Sequence, residues 1–425
     1  MTKLAPAAFA AKLAPAAFAA TLTKTAQAAK LARAVPAAAL AAALAAGPAA
    51  AQEEVRVGIL FGFTGPIESL TPAMASGAEL AMTEVSESGA FLDGASMTPV
   101  RADATCVDSA AAVSAAERLV TSDGVAAVVG AACSGATTAV LQSVALPNGV
   151  VMVSPASTSP ALSEIEDDGL FFRTAPSDAR QGEIVAEILS EKGVSSVAIT
   201  YTNNDYGKGL ADAIEGAFTG QGGEVTINQS HEDGKADYYA EVGALASAGG
   251  EVLVVAGYLD QGGRGIVQAA LDTGAFDTFY LPDGMVGESL IEAIGAPLDG
   301  SYGANPGASG ENADAFAAMA EEAGFEPGPY SGESYDAAAL IALAMQKAGS
   351  TEPSAFKDAV MEVANEPGEA IGPGELGRAL EILAEGGEVN YQGATNVELI
   401  GPGESAGSYR EIAIEDGELV VVGYR

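Results

Sequence analysis

From Val55 onward, short runs of β-branched and other apolar residues alternate with amphipathic, alanine-rich segments. Residues 55–61 read as a strand, 73–86 as a helix, 98–104 as a strand and 110–121 as a helix. A strand at 125–129, a helix at 135–145 and a strand at 150–154 follow. This βαβαβαβ order predicts a parallel sheet covered by helices on both faces. After Phe171-Phe-Arg-Thr-Ala-Pro-Ser177 the rhythm restarts. Helices are expected at 180–191, 208–220, 237–248 and 263–272, and strands at 196–201, 224–228, 252–256 and 278–281. Two such series of similar size predict an α/β protein of two doubly wound parallel-sheet lobes. Helices at 312–323 and 335–348 come next, then a Gly/Pro-rich loop at 366–374 and a helix at 375–385. Residues 397–422 read as two or three strands with glycine-containing turns. These late elements have to pack on one lobe or the other, so the chain crosses between lobes more than once. The expected division is 55–175 with about 304–390 in lobe one, and 176–303 with about 391–425 in lobe two.

Composition adds a boundary at the start. Residues 1–51 hold Lys3, Lys12, Lys24, Lys30 and Arg33 and no acid, then an Ala/Leu run at 35–46, Gly47-Pro48 and three alanines. A basic region, a short apolar region and a small-residue cleavage site are the parts of a secretory signal peptide, expected here at 1–51. The apolar run is too short to remain as a spanning helix, and no cysteine after the cleavage site offers itself for a lipid anchor. The chain as a whole carries a formal charge of −38, so removing five basic residues and no acid leaves −43. Such a surface argues against nucleic acid or an anionic membrane as partner, because affinity there comes from Lys and Arg neutralising phosphates. Solubility, in a saline habitat among others, explains the charge more simply. No further apolar run reaches membrane-spanning length, and a chain of this size is expected to bury two cores.

The candidate chemistry lies at strand ends. In Val128-Val-Gly-Ala-Ala-Cys-Ser-Gly-Ala-Thr-Thr-Ala139 a strand stops at Gly130 and a helix begins near Gly135, which puts Ser134 at the expected N-cap. Free backbone N–H groups and the positive end of a helix dipole meet there, a corner that holds an anion without a basic side chain. The strand at 150–154 runs into Ser154-Pro-Ala-Ser-Thr158 at the same sheet edge. Carboxylate capture fits these residues better than bond breaking. Cys106 and Cys133 are the only cysteines, and in an exported chain a lone pair forms one structural disulfide. A thiol nucleophile would need a base, and the single histidine, His231, falls in a polar stretch where it reads as solvated. There is no Gly-x-Ser-x-Gly elbow, no metal-ligand cluster and no phosphate loop after the first strand, so an enzyme, a metal and a cofactor are not expected.

In order and spacing, these segments resemble the periplasmic leucine/isoleucine/valine-binding proteins of ABC transporters, which have the type I periplasmic fold. Val57-Gly-Ile-Leu-Phe-Gly-Phe-Thr-Gly-Pro66 looks like the family's first strand and loop. Gly130-Ala-Ala-Cys-Ser-Gly135 and Ser154-Pro-Ala-Ser-Thr-Ser-Pro160 look like its two ligand loops. Phe172-Arg-Thr174 is similar to the first crossover, Asn204-Asp-Tyr-Gly-Lys-Gly209 to the first loop of lobe two, and 374–411 to the C-terminal region. The resemblance implies an extracytoplasmic, monomeric solute-binding protein. It would close by a hinge around a small amino acid, branched-chain in the first instance, and deliver it to a membrane permease. Amides, urea-like compounds and aromatic acids are alternative ligands, and ligand presentation to a sensor is an alternative role.

Residue by residue, the resemblance puts the carboxylate-binding hydroxyl on Ser134. The second-loop pair falls on Ala156, through its backbone, and on Thr158. The lobe-two loop aromatic becomes Tyr206, a cleft aromatic Tyr258, and the acid facing the α-ammonium Asp283, one methylene shorter than the family's glutamate. The family's disulfide maps onto Cys106–Cys133. Plainer roles stand beside these: a helix cap for Ser134, turn residues for Thr158 and Asp283-Gly284, and lobe packing for the two tyrosines. Glu333 is the reserve acid for the ammonium. The first-loop aromatic of the family has no counterpart in Ile67-Glu-Ser-Leu70.

Overall fold

The computed structural model describes residues 53–425. The expected signal peptide lies outside the described residues. Strands β1 (Glu54–Phe61), β2 (Ser96–Asp103), β3 (Ala127–Gly130), β4 (Val151–Ser154) and β5 (Phe171–Arg173) form the parallel part of one sheet, in the order β2-β1-β3-β4-β5. Strands β6 (Ser196–Thr202), β7 (Glu224–His231), β8 (Val252–Ala256), β9 (Phe279–Leu281) and β10 (Tyr302–Pro306) repeat the same order, β7-β6-β8-β9-β10, in a second sheet. Every residue of β3, β4, β8 and β10 is buried. Helices cover both faces of a parallel sheet, which is why β3 and β8 are runs of apolar residues and glycine without alternation.

After β10 the chain returns to the first lobe. The helix Ser331–Ala348 packs along the helix Thr71–Ser88 and reaches β3 and β4. Small residues on both helices permit the close approach. A Cβ on Gly77 would lie 2.1 Å from the Ser331 carbonyl oxygen, so only glycine fits there. Strands β11 (Glu369–Ile371) and β12 (Val389–Tyr391) make a separate parallel pair.

The last four strands correct the expected division of the chain. Of β13 (Leu399–Ile400), β14 (Glu404–Ser405), β15 (Tyr409–Glu415) and β16 (Glu418–Tyr424), the first two join the first sheet and only the last two join the second. Residues 391–425 therefore do not all belong to lobe two. The reason lies in one residue pair, since Glu404 pairs in register with Arg173 of β5 and also forms an ion pair with its buried guanidinium. Strand β15 then runs antiparallel to β10 across five residue pairs, from Tyr302↔Ala413 to Pro306↔Tyr409.

Candidate functional site

In a sheet of order 2-1-3-4-5 the strand order reverses between the first and third strands, and ligands sit beyond the carboxyl ends of the strands at that point. Here the reversal falls at β1/β3 in one lobe and at β6/β8 in the other. Ser134 follows β3 and the Ala156–Thr158 loop follows β4. Tyr206 follows β6, Tyr258 follows β8 and Asp283 follows β9. The two reversals face each other. A small cavity of about 20 Å³ lies between the lobes, lined by Ser134, Ala156, Tyr206, Tyr258 and Asp283 among the expected residues. Thr158 is fully buried and does not line it.

On the first lobe, two loops are tied into one surface. The Ala131 carbonyl accepts hydrogen bonds from the hydroxyls of Thr137 (3.2 Å), Ser154 (2.6 Å) and Ser157 (2.9 Å). Ser134 is the first residue of the helix Ser134–Val140, with Cys133, in extended conformation, at the N-cap. The hydroxyl expected at the cap thus sits one position inside the helix. It accepts from the Ser159 N–H at 3.1 Å, which leaves its own proton to donate. Arg173, only 1% exposed, holds the second loop from behind by donating to the carbonyls of Ser157 (3.0 Å) and Ser159 (2.9 Å). Cys106 and Cys133 are joined by a disulfide with a Cα–Cα distance of 5.5 Å. Gly62 at the end of β1 makes room for it, because a Cβ there would lie 2.6 Å from Cys106 Sγ.

The second lobe contributes aromatic rings and an acid. The Tyr206 and Tyr258 rings stack with centroids 5.0 Å apart. The Tyr206 hydroxyl donates to Asp283 Oδ1 at 2.6 Å and accepts from the Gly284 N–H at 3.1 Å. A Cβ on Gly284 would come within 2.7 Å of that hydroxyl, so glycine is required at this approach. The turn reading of Asp283-Gly284 is half right. Asp283 does open a 3₁₀ turn, Asp283–Met285, yet its side chain points inward and is 2% exposed. Burial pushes its carboxyl above the ordinary range, against the hydrogen bonds it accepts. Burial likewise raises the Tyr206 and Tyr258 hydroxyls well above their ordinary range, which keeps both neutral.

Tyr330 was not among the expected residues. It stands at φ 63°, immediately before the helix Ser331–Ala348, and reaches from the first lobe to donate its hydroxyl to Asp283 Oδ2. The Gly328-Pro329-Tyr330 turn at a helix start was the signal available in the sequence. With Ile67, Leu70 and Met74 it completes the cavity wall, so the first-loop region supplies aliphatic contacts and the aromatic comes from elsewhere. At the rim, the Ser69 N–H donates to Asp260 Oδ2 at 2.9 Å and the Asp260 N–H to the Pro66 carbonyl at 3.1 Å, joining the lobes.

Two expectations fall away from the site. Glu333 is buried outside the cavity lining, with its pKa raised to about 8 by desolvation. His231 is not solvated. It ends β7 at 2% exposure, pairs Nδ1 with Thr200 Oγ1 at 2.9 Å, and burial lowers its pKa to about 4. The strand continues three residues beyond its expected end, which carries the ring into the lobe-two interior.

A cleft between two doubly wound lobes has hydroxyls and a helix start on one side and an acid with stacked tyrosines on the other. That arrangement defines a class of solute-capturing proteins with the type I periplasmic fold. The chain belongs to the periplasmic binding protein family, whose model matches residues 54–379. It is 31% identical over 319 residues to Leu/Ile/Val-binding protein homolog 1 of Brucella melitensis, covering 74% of this chain and 84% of that protein. It is 28% identical over 400 residues to a chemotactic signal transduction system substrate-binding protein of Halobacterium salinarum, covering 88% and 91%. In fold it is similar to the branched-chain amino acid transporter substrate-binding protein of Streptococcus pneumoniae solved with isoleucine. The TM-score is 0.72 at 23% identity, over 88% of this chain and 99% of that one.

Proposed function

We propose that this protein is the extracytoplasmic solute-binding component of an ABC transporter, that it captures a branched-chain amino acid between its lobes, and that it hands the ligand to a membrane permease. The observation that carries this reading is the opposition of Ser134 to Asp283 across a cavity walled by Ile67, Leu70 and Met74. An α-amino acid brings two opposite charges, and both need partners once water is excluded. The Ser134 hydroxyl and the N–H groups at its helix start suit the carboxylate. The buried Asp283 suits the ammonium, and the aliphatic wall with Tyr330 suits a branched side chain. Tyr206 and Tyr258 close over the ligand. Charge-assisted hydrogen bonds of this kind are worth about 1.5–3 kcal/mol each, so three or four support micromolar affinity after ordering costs.

In this reading residues 1–51 are removed on export, the mature protein works as a monomer in the periplasm, and no bond is made or broken in the cleft. Among the described residues no helix is long and apolar enough to cross a membrane. The name of the Halobacterium relative favours a second role for the same capture, presentation of the ligand to a receptor. Calorimetry on the mature chain against amino acids, amides and aromatic acids tests the ligand class. Leucine, isoleucine or valine should bind with micromolar affinity; tight binding of an uncharged amide with no amino acid binding would overturn the assignment. Uptake that depends on a co-encoded permease separates transport from sensing.

A further inference from the structure

The loop between β1 and the helix Thr71–Ser88 carries two of the aliphatic cavity residues, Ile67 and Leu70. Its ends are fixed on its own lobe. The Thr64 hydroxyl donates to Asp103 Oδ2 at 2.6 Å, and the Thr71 hydroxyl donates to the Gly62 carbonyl at 3.3 Å. Its middle is fixed from the other lobe. Asp260, in the loop after β8, brackets the segment from both sides: its N–H donates to the Pro66 carbonyl at 3.1 Å and its Oδ2 accepts the Ser69 N–H at 2.9 Å. A relay completes the clasp. The Ser69 hydroxyl donates to Ser289 Oγ at 3.1 Å, and the Ser289 hydroxyl donates to Asp260 Oδ1 at 2.8 Å. Both oxygens of the carboxylate therefore serve bonds that begin at Ser69, between the two aliphatic residues.

Asp260 is itself held in place. The Arg264 guanidinium, one turn further on, donates to the Asp260 carbonyl at 2.9 Å. The neighbouring Leu259 N–H donates to the Gly284 carbonyl at 3.0 Å, which ties the clasp to the turn that carries Asp283. Gly287 leaves room for the two lobes to meet beside it, since a Cβ there would lie 3.1 Å from Leu70 Cδ2 and 2.6 Å from Leu259 Cδ1. Asp260 is half-buried and Ser69 exposed, so water competes for these bonds and each has a modest net worth.

We propose that Asp260 is a positioning residue for ligand selection: from lobe two it sets segment 66–69 of lobe one, and through it the aliphatic wall that Ile67 and Leu70 present to the ligand. The proposal rests on the branched-chain amino acid reading above. Asp260 does not line the cavity, so it acts through the loop and not by touching the ligand. A loop fixed at its ends alone keeps conformational freedom that the ligand has to remove on binding; a loop already placed by the clasp costs the ligand less. The bonds that place the wall come from both lobes, so the wall is complete only while the lobes are together. Recognition of the side chain is then coupled to closure.

The test is calorimetric titration of the mature chain with L-leucine in a double-mutant cycle. Asp260→Ala should weaken leucine about tenfold, the worth of one partly exposed charge-assisted hydrogen bond. Asp260→Asn keeps an acceptor for the Ser69 N–H and should stay within about threefold of wild type. Ser289→Ala, which removes the relay from the lobe-two side, should cost about threefold. In an Ile67→Ala background, where the wall is already damaged, Asp260→Ala should cost about threefold or less. A residue that merely joins the lobes would lose the full tenfold in both backgrounds, and that outcome would overturn the proposal. So would Asp260→Ala within about twofold of wild type, provided that wild type binds leucine. A wild-type protein that binds no amino acid would overturn the functional reading and the proposal together.

Discussion

Replacing Asp283 by Asn separates recognition of the ligand's cation from the architecture of the cleft. The side chain keeps its shape, and its remaining carbonyl oxygen can still accept from one of the two tyrosine hydroxyls that now contact it. The other hydroxyl can turn and accept from the new amide. The acid is wholly buried and its pKa is raised by that burial, so removing its charge relieves desolvation. The melting temperature without ligand should therefore hold or rise. Ligand binding should respond in the opposite direction. One charge-assisted hydrogen bond is worth about 1.5–3 kcal/mol, and a buried cation left short of counter-charge costs about 3–5 kcal/mol. Between these limits a loss of about 2–4 kcal/mol is expected, or about 30- to 1,000-fold in affinity. Titration calorimetry with leucine, run beside thermal unfolding of the same samples, reads both quantities. Ser134→Ala is the companion, removing one carboxylate hydrogen bond while the helix N–H groups remain, for about a ten- to hundredfold loss. If Asp283→Asn binds leucine within about threefold of wild type, the acid only anchors tyrosines and the ammonium lies elsewhere.

Two further outcomes bear on stability. Glu333 has an ordinary pKa of 4.5 and is raised to about 8 in the fold, so between those values the unfolded chain releases a proton that the folded chain keeps. Stability should fall as pH rises through this window, by at most about 5 kcal/mol in total. Glu333→Gln should flatten the dependence in denaturant titrations, and profiles parallel to wild type would refute the cause. Replacing both Cys106 and Cys133 by Ser opens a 27-residue loop and should cost about 3.5 kcal/mol on the chain-entropy estimate. Two free thiols by intact mass in exported protein would remove that expectation.

Periodicity was strong where strands are buried and helices amphipathic. The strand at 252–256 falls on its expected residues, and most other boundaries fall within a few. What periodicity could not show was the partner of a short strand. Leu399–Ile400 and Glu404–Ser405 are two residues each, too short to carry a face, and their place beside β5 depends on an ion pair with Arg173 across more than two hundred residues. The site divides in the same way. Ser134 was legible because a strand end running into a helix start has a local signature, and Tyr206 only because its loop resembles a family motif. Tyr330 was not, since its role comes from a left-handed backbone turn that aims it at the opposite lobe.

The division of charge partners between the lobes accounts for why capture and closure would be one event. In the proposed mode the carboxylate is held by the first lobe and the ammonium by Asp283 of the second, so neither lobe alone satisfies a zwitterion. A ligand shifts a conformational equilibrium only by its differential affinity for the two states, and this arrangement places that difference in the interlobe geometry. The protein already supplies part of the same bridging. Tyr330 reaches across to Asp283, and Ser69 and Asp260 pair at the rim. Those bonds involve hydroxyls, a backbone N–H and one rim carboxylate, with no cation on the buried acid. A ligand that adds its ammonium there therefore strengthens closure where the protein's own contacts leave Asp283 without counter-charge. An uncharged amide of similar shape would fill the cavity and leave that imbalance in place, which is the physical ground for expecting selectivity for amino acids.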